Sequence, residues 1–139
     1  MHTDGRFSPT TEAAARERYA ALGPTAQTVV REVATAMDFD KDEYDERVTS
    51  AVVERARNAL FASSLEVSVG EREEFDDWRA DHSEDDVHVI GNENVPRVVW
   101  HAPAFAETAV AATFADEERA AVETLRRQAF GRLYRELFE

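Results

Sequence analysis

Two arginines stand where a helix should be apolar. At about 100° per residue, Arg55 falls in the arc formed by Tyr44, Val48, Ala51, Val52 and Ala59, and Arg126 falls among Val122, Phe130, Leu133 and Leu137. A guanidinium sunk among apolar side chains costs several kcal/mol unless it is paired. Each therefore calls for a carboxylate such as Glu32 or Glu123, a subunit contact, or an anionic ligand. Internal ion pairing or snorkelling is the ordinary answer, and anion binding is the chemical one. From Arg119 to Arg135 there are five arginines and one acid, Glu123, so this stretch is locally positive in a negative chain. A phosphate or a partner's acidic surface would suit it, as would the chain's own surplus carboxylates.

A second candidate surface gathers amides, an arginine and aromatics: Asn92 and Asn94 in a turn, then Arg97, Trp100 and His101. Its plain reading is turn chemistry beside a core tryptophan. His88 and His101 would face each other if the strands carrying them formed a hairpin, but two such histidines more often sit half exposed than hold a metal. Asp38, Asp40 and Asp42 imitate the opening of a calcium loop, yet Glu43 stands where a glycine is needed and Thr49 where a glutamate is needed. The run reads instead as a solvated helix start. The five glycines fit no phosphate-binding spacing, no serine occupies a nucleophile elbow, and there is no cysteine. The residues thus nominate no catalytic group, no metal ligand and no cofactor.

The elements that must position these residues follow from punctuation and period. Met1 to Pro9 read as a loose tail, so residues 1–10 are assigned as flexible and 11–139 as a single domain. A first helix runs from Thr10 or Thr11 to Leu22 and is stopped by Gly23-Pro24. Pro24 opens a second, whose stripe is Ala26, Val29, Val30, Val33 and Met37. A third runs from about Asp40 to Ala62, its first turn rich in carboxylates. The period then switches to two. Leu65 to Gly70 is a strand, Glu71 to His82 a short helix, Val87 to Ile90 a second strand parallel to the first, and the RVVWH segment a third paired to the second. Thr108 to Phe114 is read as a fourth strand from the phase of Val110, Ala112 and Phe114. Asp116 then caps a long C-terminal helix. The class is α+β: a three-helix segment over 11–62, then over 63–139 a small mixed sheet (β-α-β-β-β) and a long C-terminal helix.

Charge bounds the environment. One lysine, Lys41, and fifteen arginines face 29 acidic residues, a formal net charge of -13. Such self-repulsion is relieved where molar salt shrinks the Debye length to about 3 Å. With no signal-like apolar run and no stretch near the ~18 apolar residues of a membrane span, the expectation is a halophilic protein of a high-salt cytoplasm. The apolar residues of the last helix sweep about half its circumference, wider than one packing face. Tyr134, Leu137 and Phe138 are accordingly expected at a subunit interface, and the leading expectation is a non-enzymatic protein-interaction module, homodimeric. A helix-turn-helix regulator is the alternative offered by the second and third helices and their DFD turn, but the acids of Asp40 to Glu46 stand where phosphate contacts would need positive charge. A small-molecule or anion binder, or an enzyme, using Arg55 and Arg126 is the other.

In the stretches ARERYAALGP, REVATAMDFDKDEYDERV and ETLRRQAFGRLYRE, and along nearly its full length, the chain resembles a family of small acidic haloarchaeal proteins of uncharacterised function. The resemblance implies an extreme halophile's cytoplasm and transfers no catalytic residue.

Overall fold

Proline 24 does not stop the first helix. In the computed structural model, which describes residues 1–139, helix α1 runs unbroken from Glu12 to Ala36 with Pro24 inside it. An interior proline costs about 3 kcal/mol, and α1 meets that cost by packing both its halves along α3 (Ser50–Ser64). Around the proline turn the Tyr19 carbonyl accepts a hydrogen bond from Arg57 Nε at 2.8 Å. The expected first and second helices are thus one. The expected third is two, because Val48 and Thr49 leave helical geometry and the Thr49 hydroxyl caps Val52 N–H at 3.3 Å. Helix α2 (Lys41–Arg47) is held by a reciprocal capping box between Asp40 and Glu43. Between α1 and α2, Asp38 takes the left-handed conformation (φ 57°), and Asp38 and Phe39 N–H close a Schellman motif on Thr35 and Ala34.

The tail is a strand. β1 (His2–Asp4) pairs antiparallel with β2 (Val67–Glu71), with His2 opposite Val69. Helix α4 (Arg72–Asp81), β3 (Asp86–Ile90), β4 (Arg97–His101) and β5 (Thr108–Phe114) follow, and the five strands lie in the order β1-β2-β4-β5-β3. β2 and β3 do point the same way, but they are not neighbours, and β3 pairs with β5 rather than with β4. Hydrophobicity explains the exchange. β4 and β5 are apolar on both faces and take the centre, whereas β3 carries exposed Asp86 and His88 and suits an edge.

The alternation of the strands divides the interior in two. One face of the sheet buries Val67, Val69, Val99, Val110 and Phe114 against α1, α3 and α5 (Glu118–Ala129). The other buries Val98, Trp100 and Ala111 under Phe75 of α4. Glu117, not Asp116, stands at the start of α5, and no side chain caps it. Beyond Ala129 the helix widens into one π turn (Phe130–Tyr134) and tightens into a 3₁₀ turn (Arg135–Phe138).

Candidate functional site

Of the two arginines expected to need partners, Arg126 finds them inside the chain, as do Arg97 and buried His101. Arg126 lies against the N-terminal segment: its Nε donates to the Leu65 carbonyl at 2.9 Å and its guanidinium meets Asp4 at 3.6 Å. Neither Glu32 nor Glu123 is involved. Arg97 pairs with Glu118 at 2.9 Å and stands over the Phe114 ring, while its buried Nε has only Glu71 at 3.8 Å. His101, 1% exposed, bonds on both sides of its ring. The Glu66 carbonyl, 2.6 Å away, can only accept, so Nδ1 carries the proton, and Nε2 accepts from the Tyr134 hydroxyl at 2.7 Å. Burial lowers the His101 pKa to about 4, against the opposing pull of the Glu66 carbonyl, with Arg126 adding to the lowering. Burial likewise pushes the Tyr134 hydroxyl above its ordinary range. A neutral imidazole and a phenol held this far from titration hold structure together.

Arg55 is not in a buried arc but exposed on α3. Trp100 points into the smaller core, away from Arg97 and His101, which β4 presents on its opposite face. Asn92 and Asn94 form a turn of their own, Asn94 N–H donating to the Asn92 side chain at 2.9 Å. The five residues therefore do not assemble into one surface. His88 and His101 flank β5 on either side, both level with Val110, instead of facing each other. Tyr134 is fully buried, and Phe138 stacks on Tyr19 with centroids 4.0 Å apart. Together with Leu137 they pack on the chain's own core rather than standing free at an interface.

Uncovered apolar surface lies elsewhere, at the far end of α1. Val29, Val33 and Met37, expected in the core, are 39%, 52% and 59% exposed. The helix buries instead Ala15, Tyr19, Ala26, Val30 and Ala34. Ala26 and Ala34 flank Val30 on the buried face of α1, while Val29 and Val33 lie to one side of it. With Phe39, Val48 and Val52 the exposed residues line a groove of ≈ 320 Å³ whose other lining side chains are apolar except Arg47, which sits over the Phe39 ring at 5.5 Å. Three of the four exposed large apolar side chains of the chain, Val29, Val33 and Met37, lie in it. Sequence reading missed it because the stripe is apolar and helical in period, which describes a buried face equally well.

A second, polar cleft lies between α1 and α3 beside Tyr19 and Arg57. There the Arg57 guanidinium rests on the Tyr19 ring at 4.1 Å and the Tyr19 hydroxyl donates to Asn58 at 2.6 Å. Burial raises the Tyr19 pKa, with Arg57 opposing and Glu54 adding to the rise. No three metal-ligating groups converge anywhere in the chain, and no helix is long and apolar enough to cross a membrane.

Comparison with curated proteins and with solved structures finds no match. A family model described as "Family of unknown function (DUF5809)" matches residues 6–135. Since that match runs from the segment after β1 through the π turn, the chain belongs to this family of unknown function.

Proposed function

We propose that the chain is a non-enzymatic interaction module that pairs with a second copy of itself through the groove of α1 and α3, in the molar-salt cytoplasm of a halophile. The observation that carries this reading is the exposure of Val29, Val33 and Met37 together in one apolar groove. Covering a half-exposed valine or methionine contributes about 1 kcal/mol, and a two-fold axis doubles every such contribution. The groove's flanks suit self-pairing. Exposed Glu32 precedes the lining residue Val33 on α1 and exposed Arg55 precedes the lining residue Ala56 on α3, neither engaged in an ion pair within the chain, so a two-fold arrangement can bring opposite signs together. The net charge of -13 opposes association in dilute buffer, and molar salt removes most of that opposition while strengthening apolar contact.

Sedimentation in molar KCl tests the proposal. The unmodified chain at high micromolar concentration is expected to be a dimer, and Val33→Asp a monomer with the same circular dichroism. A monomeric unmodified chain, or a dimer that survives Val33→Asp combined with Met37→Asp, overturns it.

A further inference from the structure

Glu54 and Arg57 stand three residues apart on α3, a spacing at which opposite charges ordinarily meet. They do not meet. The arginine–carboxylate pairs of the chain are Arg16–Glu12, Arg97–Glu71, Arg97–Glu118 and Arg126–Asp4. Arg57 is drawn instead across to α1, its Nε donating to the Tyr19 carbonyl at 2.8 Å and its plane lying over the Tyr19 ring. That geometry fixes the guanidinium and leaves both Nη groups without a hydrogen-bond partner in the chain. Arg57 shares the lack of a carboxylate partner with most arginines of the chain, but unlike exposed Arg55 it is held in place, by the Tyr19 carbonyl and ring.

Both charges open on the same cleft of ≈ 440 Å³, a size within the range of small-molecule sites. Gln27 and Ser50 add hydrogen-bonding groups, and Phe138, stacked on Tyr19, closes one side. Gly23 lines the cleft beside the guanidinium, where a Cβ would stand in ordinary contact, 3.6 Å from the guanidinium carbon. A simple anion would be repelled by Glu54, and a simple cation by Arg57. A ligand carrying both signs satisfies both, and in molar salt, where a single exposed ion pair is largely screened, two-point recognition is what retains selectivity.

We propose that this cleft binds a zwitterion of amino-acid size, its carboxylate on the Arg57 Nη groups, its ammonium on Glu54, and its side chain against Phe138 and Pro24. The cleft shares no lining residue with the apolar groove, so this inference stands or falls apart from self-pairing.

The test is a titration of the full chain in molar KCl with L-phenylalanine, followed by the NMR signals of the Arg57 Nε–H and the Gly23 amide. Saturable shifts with a millimolar Kd are expected. N-acetyl-L-phenylalanine, which lacks the ammonium, and L-phenylalanine amide, which lacks the carboxylate, are each expected to bind about tenfold more weakly, ~1.4 kcal/mol. Glu54 is exposed and bonds to nothing in the chain, so Glu54→Gln should keep the unmodified circular dichroism and melting while losing the preference for the free over the acetylated amine. Shifts that do not saturate, equal binding of all three probes, or an undiminished preference in Glu54→Gln overturn the proposal.

Discussion

A histidine that cannot take a proton is a liability in acid. His101 is neutral in the folded chain because its site is buried and because Nε2 must accept the Tyr134 hydroxyl. Above pH 6.5 it is neutral in the unfolded chain as well, so it adds no pH dependence there. Between 6.5 and about 4 the unfolded chain binds a proton that the folded chain refuses, and stability falls as pH falls. For a shift of this size the loss is about 3 kcal/mol, levelling off below the folded value. Urea unfolding in molar KCl at about pH 7 and about pH 4 should show this drop in the unmodified chain and a smaller one in His101→Gln, in which the titrating group is gone. Tyr134→Phe, which strands Nε2, should cost about 1–3 kcal/mol at neutral pH. Sequence could nominate His101 only as a member of a surface cluster or as a residue facing His88 across a hairpin. The partners that define its role, Glu66 and Tyr134, come from the residue just before β2 and from the π turn, and nothing in local spacing announces them.

Among the elements, β1 departs furthest from what its sequence suggested. MHTDGRFSPT has no alternation and no apolar run, so it reads as a tail, yet Phe7 is bridged to Leu65, Glu66 N–H donates to the Phe7 carbonyl and Arg126 reaches Asp4. Gly5 makes the turn possible. Its φ is +98°, and a Cβ there would lie 2.3 Å from the Leu65 carbonyl oxygen and 2.7 Å from Arg126. Gly5→Ala should therefore destabilise by about 2–3 kcal/mol, the combined cost of forbidden backbone and a displaced, partly buried guanidinium. Thermal melting in molar KCl measures it, and an unchanged melting temperature would mean that the strand contributes nothing. Strands β2 to β5 and helix α4 were legible because turn residues and period-two alternation are local signals. The misplaced Arg55 has an equally local cause. A helical wheel drawn from Tyr44 to Leu60 spans the break at Val48 and Thr49, where the phase resets, so Tyr44 and Val48 do not belong to the wheel of Ala59 and Leu60. Within Ser50–Ser64 the inward face is that of Val52, Val53, Ala56 and Leu60, and Arg55 falls outside it, beside Ala51 and Ala59, which are exposed. The union of the first two helices through Pro24 was not legible, since what overrides the proline is α3, tens of residues away.

For the molecule as a whole, charge sets the terms. The net charge of -13 surrounds a core built on one five-stranded sheet, and few of its acids are tied into ion pairs. Folding should accordingly depend on screening: circular dichroism and urea midpoints in dilute buffer and in molar KCl are expected to differ, with the more cooperative transition in salt. Identical transitions in both would remove the basis for a halophilic reading. The topology also imposes an order in time. The central hairpin β4–β5 closes over a short connection, whereas β1 pairs with β2 from the other side of three helices. When the whole chain refolds, β1 is therefore expected to find its neighbour after the central hairpin has closed, and until it does, the outer edge of β2 offers unpaired N–H and C=O groups to any other extended chain. β1 is in that sense a closing strip. How quickly it docks determines how long each refolding molecule remains open to pairing with the wrong strand.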